Sequence, residues 1–206
     1  MSTIVRFEPE HMKQVLAELS PRHRAAFAAT CCERLLPNYT AFAKDAQWGD
    51  PSVLQNALRY AWQVIETGTI DAGRVAQMIS DCEAVTPHTE SFTSRLVSAA
   101  LDAGVAVAET LRILLDADPQ RAVDVASSSR DTIDMFIQER DHLDFNSDPR
   151  FEEKILRDGL MQNELTRQDA ILRALQNETV LDRFFIRRLR AEAQNGGFSN
   201  IGISAQ

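Results

Sequence analysis

The chain has 206 residues, 44% of them hydrophobic and 25% charged, values ordinary for a soluble globular protein. A chain of this size buries roughly 70% of its unfolded surface, enough for a core without disulfide or metal staples. Its net charge of −8 argues against nonspecific nucleic-acid binding, which needs a basic footprint.

The charge is unevenly placed. Residues 1–147 carry 13 Lys/Arg against 21 Asp/Glu, a net of −8, while residues 148–206 carry 9 of each. The opening Met1 to Glu10 shows no charged leader followed by an apolar stretch, so no signal peptide is expected. No uncharged run approaches a membrane span, so the reading is a cytoplasmic protein without a membrane partner. The three cysteines, two of them adjacent, read as reduced core thiols, with no spacing suited to zinc.

In chain order, residues 9–19 give a short amphipathic helix with Met12, Val15, Leu16 and Leu19 on one face. A second helix runs from about 21 to 46, with Ser20 as cap and Pro21 in its first turn. Its stripe is Phe27, Cys31, Leu35, Tyr39, Phe42 and Ala46, and the phase survives Pro37, which predicts one kinked helix. Gly49 suits a left-handed position at its end, and Asp50-Pro51 opens a helix to Glu66. Asp71 caps the next, and Thr86-Pro87-His88 is a turn. Residues 91–116 then read as a long small-residue helix, the central one, in which Gly104 lets a neighbour approach closely. Asp118-Pro119 begins another, ending in a polar loop from Asp141 to Asp148. From Pro149 to about Gln194 the pattern predicts one long helix with a bend or short break at Asn177. Residues 195–206 form a tail whose apolar residues dock back. The reading is all-α: a single-domain bundle of about seven helices over residues 1–206.

Cys32-Glu33-Arg34-Leu35-Leu36-Pro37-Asn38-Tyr39 with Phe42, then Gly49-Asp50, Trp62 and the C-terminal Ser199-Asn200-Ile201-Gly202-Ile203, resemble the YjaG-like bacterial proteins, the domain of unknown function DUF 416. The resemblance covers nearly the whole chain. It implies a small, soluble, all-helical bacterial protein, and it carries over no activity and no catalytic residue.

Pro37 frees the Glu33 carbonyl one turn back, which makes the kink a polar notch. Glu33, Arg34, Asn38 and Tyr39 are therefore the candidate binding residues. Glu33-Arg34 also reads as an internal bridge locking the kink to the next helix, because buried charges must be paired. Two Glu-x-x-His spacings, Glu8–His11 and Glu139–His142, are those of a di-metal bundle, with Asp102 or Glu109 to complete the site. Both pairs fall at helix ends, whereas such ligands project from mid-helix. Arg183, Arg187, Arg188 and Arg190 form a basic patch that complements a helix C-terminus. No nucleophile motif and no phosphate-cradling glycine loop is present, so no cofactor and no catalytic residue is expected. Two functions follow: a non-enzymatic interaction module, regulatory or immunity-like, with an unidentified protein partner, or a metal-binding helical enzyme. The small-residue faces are compatible with a homodimer.

Overall fold

Local chemistry sets the helix starts. The computed structural model describes residues 4–204, so the first three residues and the last two of the tail lie outside it. The elements are α1 (Pro9–Glu18), α2 (Pro21–Ala46), α3 (Pro51–Thr67), α4 (Ala72–Ala84), α5 (Val97–Asp116), α6 (Pro119–Asp141), α7 (Phe151–Arg157), α8 (Gly159–Asn177) and α9 (Arg183–Ala193). Short 3₁₀ turns at Thr89–Ser91 and Asn195–Gly197 complete the list. Side chains of Ser20, Asp50 and Asp118 accept backbone N–H bonds at the starts of α2, α3 and α6, each followed by proline. Asp71 does the same for α4 without one.

The all-α class holds, with nine α-helices among the described residues rather than about seven. The difference lies mainly at the C-terminal end, where the single long helix of the sequence reading is three. Asp158 adopts an extended conformation and its side chain accepts from Leu160 N at 2.8 Å, so α7 stops where α8 is capped. The chain leaves α8 at Asn177, the expected break, and restarts where Asp182 accepts from Phe185 N at 2.7 Å.

Two further expectations shift. The central helix starts at Val97, not near 91, because Phe92 is extended and its ring packs 5.1 Å from Phe42 and 5.0 Å from Trp48. A helical Phe92 would give up that aromatic cluster. The left-handed end of α2 falls on Gln47, with φ 50°. Gly49, with φ 83°, serves a different purpose: a Cβ there would run into the Tyr39 hydroxyl.

Helix α5 is the hub, packed against α2, α3, α4 and α6. Its small-residue face does what the sequence suggests. At Gly104 the side chain of Thr86 comes so close that a Cβ would collide with its hydroxyl. Helix α2 carries Pro37 inside one continuous helix and buries most of its length. The larger apolar cluster gathers α1 to α6 with parts of α8 and α9. A smaller one joins Ala99, Ile133, Ile137, Phe151, Ile155 and Ile201, and α6 runs through both. Among the described residues no helix is long and apolar enough to cross a membrane.

Candidate functional site

The notch at Pro37 is filled. Arg34 is 1% exposed, and its guanidinium grips the Glu164 carboxylate of α8 with both forks, Nε to Oε2 at 2.8 Å and Nη2 to Oε1 at 2.6 Å. Its remaining nitrogen, Nη1, donates to the Thr30 carbonyl at 2.8 Å. Glu164 also accepts from Ser129 Oγ of α6 and from Gln168 Nε2, each at 2.9 Å. Burial alone would raise the Glu164 pKa. Arg34 and these hydrogen bonds outweigh it and hold the carboxyl below its ordinary value. Burial likewise opposes the charge on Arg34, and Glu164 reverses that, so both groups stay ionised.

Glu33 goes elsewhere. Its Oε1 accepts from the Trp62 indole at 2.8 Å and from Arg190 Nε of α9 at 2.9 Å. The expected Glu–Arg bridge is thus two separate bridges, because neighbours on a helix point about 100° apart. One ties α2 to α8 and the other ties it to α3 and α9. Arg190, part of the expected basic patch, is committed here, and Arg183 pairs with Glu66.

The C-terminal tail seals the notch. Asn200 donates its backbone N–H to the Arg34 carbonyl at 3.0 Å and its Nδ2 to the Ser129 carbonyl at 2.8 Å. Its Oδ1 accepts from Asn38 Nδ2 at 3.0 Å. The tail therefore meets the carbonyl after Glu33. Tyr39 donates to the Val85 carbonyl at 2.6 Å, and burial pushes its pKa up to about 12. Cys31, Cys32 and Cys82 are free and buried; burial pushes Cys31 and Cys82 up to about 12, so they stay protonated thiols.

Glu8 stands at the start of α1 and His11 in its first turn. Glu139 pairs with Arg95, and His142 ends α6 in the left-handed conformation with φ 51°. The two Glu–His pairs line different clefts. Among the described residues no three His, Cys, Asp or Glu side chains gather to hold a metal. Glu109, partly buried, pairs with Arg112 and Arg121, and Asp102 accepts from Thr132.

The larger of those clefts, about 850 Å³, opens between the start of α5 and the C-terminal half of α6. Its apolar lining includes Leu96, Ala99, Met135, Phe136 and Leu143, with Ile201 of the tail. Charged residues on it are Arg95, Glu139, Arg140 and His142. Periodicity does not reveal this cleft, since Leu96 and Phe136 read as ordinary core positions. Glu164 and Gln168 did leave a signal: they interrupt the apolar stripe Met161, Leu165, Leu172 of α8, where a charge demands a partner.

Fold and site together define an all-helical bundle protein whose tail is locked over a buried ion-pair network. The chain belongs to the DUF416 family, described as a protein of unknown function, whose model matches residues 11–204. It is 27% identical over 199 residues to the uncharacterized protein YjaG of Salmonella typhimurium, covering 96% of this chain and 97% of that one. The same figures hold for YjaG of Escherichia coli K12. An uncharacterized protein of Haemophilus influenzae is 27% identical over 190 residues, covering 91% and 94% of the two chains. The crystal structure of a DUF416 family protein from Shewanella baltica superposes with a TM-score of 0.85 at 26% identity, covering 93% of this chain and 97% of that one.

Proposed function

We propose that the protein is a non-enzymatic cytoplasmic interaction module, regulatory or immunity-like, that acts as a single domain and meets a protein partner through the α5–α6 cleft. The observation that carries this reading is the division of labour among its polar groups. Glu33 and Arg34 are spent on internal bonds and Asn38 donates to Asn200, whereas the cleft combines apolar and charged lining residues. Such a lining suits an apolar helix face from a partner. Met135 reports on it, being 52% exposed and therefore replaceable without loss of core packing. Capture from the lysate of the host cell should return a stoichiometric protein with the wild type, and Met135→Asp should lose it at an unchanged melting temperature. Equal capture by both would move the interface elsewhere; no stoichiometric protein would count against the interaction reading itself.

A further inference from the structure

Ahead of α1, residues 4–8 form a non-helical strap with a cleft on either side. Arg6, Phe7 and Glu8 line both clefts, and so does Leu165 of α8. One cleft, of about 510 Å³, continues to Arg130 and Asp134 of α6 and to Ile155 of α7. The other, of about 350 Å³, continues to Met12 of α1 and Leu172 of α8. The strap thus divides a single groove in two.

One side chain holds the strap. Gln162 Oε1 accepts from Val5 N at 2.9 Å, and Gln162 Nε2 donates to Val5 O at 3.0 Å. A bond from the same Nε2 to the Leu156 carbonyl at 2.7 Å fixes the amide, because a flip would set its oxygen against two carbonyls. Among the described residues no other hydrogen bond reaches the backbone of residues 4–7. Taking both the N–H and the C=O of one residue is how a sheet edge holds an added strand, and it is indifferent to the side chain. Selection comes from the side chains. Val5 and Phe7 are half-buried against the smaller apolar cluster, and exposed Arg6 lies between them, the alternation of an extended chain. The Arg130 guanidinium lies 5.1 Å from the centre of the Phe7 ring. On the wall of the larger cleft, Asp134 is bonded to the neutral Gln138, and Glu152 has no cation paired with it among the described residues. Both acids are left for a basic residue.

We infer that the strap is a resident ligand in a peptide groove, and that an extended segment of a partner protein, with an aliphatic, a basic and an aromatic residue in succession, takes its place. The strap gives way first because a terminal segment is only as firm as what ties it down, here one amide and two half-buried side chains. Its departure joins the two clefts.

The test uses the full chain carrying Val5→Pro, which deletes the N–H that Gln162 accepts. The probe is a blocked peptide with the sequence of residues 4–8, followed by NMR of labelled Met161 and Leu165 methyl groups. Saturable shifts are expected, at an affinity about tenfold or more above that of the wild type, in which the tethered strap competes. Adding Gln162→Ala should weaken binding about tenfold or more, as loss of the bonds to the peptide backbone does. A peptide with glutamate in place of its arginine should bind more weakly. No saturable shift in Val5→Pro, or equal affinity after Gln162→Ala, would overturn the inference and leave residues 4–8 as ordinary packing. Equal affinity in wild type and Val5→Pro would overturn it too, since the peptide would then sit outside the groove of the strap. This groove shares no lining residue with the α5–α6 cleft, so failure here is distinct from failure there.

Discussion

Asp102, on α5 behind the larger cleft, illustrates how a single carboxyl is tuned. Burial pushes its pKa from 3.8 up to about 6; a hydrogen bond from Thr132 opposes the shift and the charge of Asp131 adds to it. Thr132 Oγ1 lies 2.7 Å from Asp102 Oδ2 and 3.0 Å from the Ser128 carbonyl. A hydroxyl has one proton for two acceptors. Burial outweighs the bond from Thr132, so the neutral carboxyl is favoured. The folded protein thus holds this proton to a higher pH than the unfolded chain does. The stabilisation is complete below the unfolded value, fades as pH rises through about 6, and is absent at pH 8. Asp102→Asn removes the charge that burial opposes. Urea unfolding should show the variant more stable than wild type by about 1–3 kcal/mol at pH 8 and little changed at pH 4. A variant less stable at pH 8 would mean that the ionised carboxylate has a partner it needs.

Among the elements, α5 depends most on the absence of a side chain. Gly104→Ala pushes a methyl group into the Thr86 side chain, whose hydroxyl is held by the Cys82 carbonyl at 2.7 Å. The glycine-to-alanine gain in helix propensity, about 1 kcal/mol, is set against overpacking of about 1–3 kcal/mol. Net destabilisation is expected, read as a lower melting temperature, with Thr86→Gly restoring it in the double variant. A rise in melting temperature for Gly104→Ala alone would show that α4 and α5 separate freely. Element boundaries were legible where a local signal marks them: Ser20, Asp50, Asp71 and Asp118 all cap as their sequences suggest. They were not legible where a distant partner decides. Phe92 leaves the helical pattern for Phe42 and Trp48, which lie far away in sequence. Asp158 carries a cap signal, but the apolar residues continue across it and hide the break.

Over the whole molecule, the polar core acts as a fastener. Arg34 of α2, Ser129 of α6, Glu164 and Gln168 of α8 and Asn200 of the tail share one hydrogen-bonded network. Sequence marked part of it: Arg34 and Asn38 stand out in an apolar helix. Their pairing was not legible, since Arg34 and Glu164 are 130 positions apart and nothing local selects one acid over another. The residues that look most functional in the sequence are, on this account, those that hold the tail to the bundle.

The measurement that bears most directly on that claim is a double-mutant cycle of denaturant unfolding on Arg34→Met and Glu164→Leu. Each single variant strands a buried charge and should cost about 3–5 kcal/mol. The pair together should cost well below the sum, with a coupling of about 2 kcal/mol or more. Single variants that unfold like the wild type, with no coupling between them, would contradict a structural role and return Arg34 to the list of binding residues.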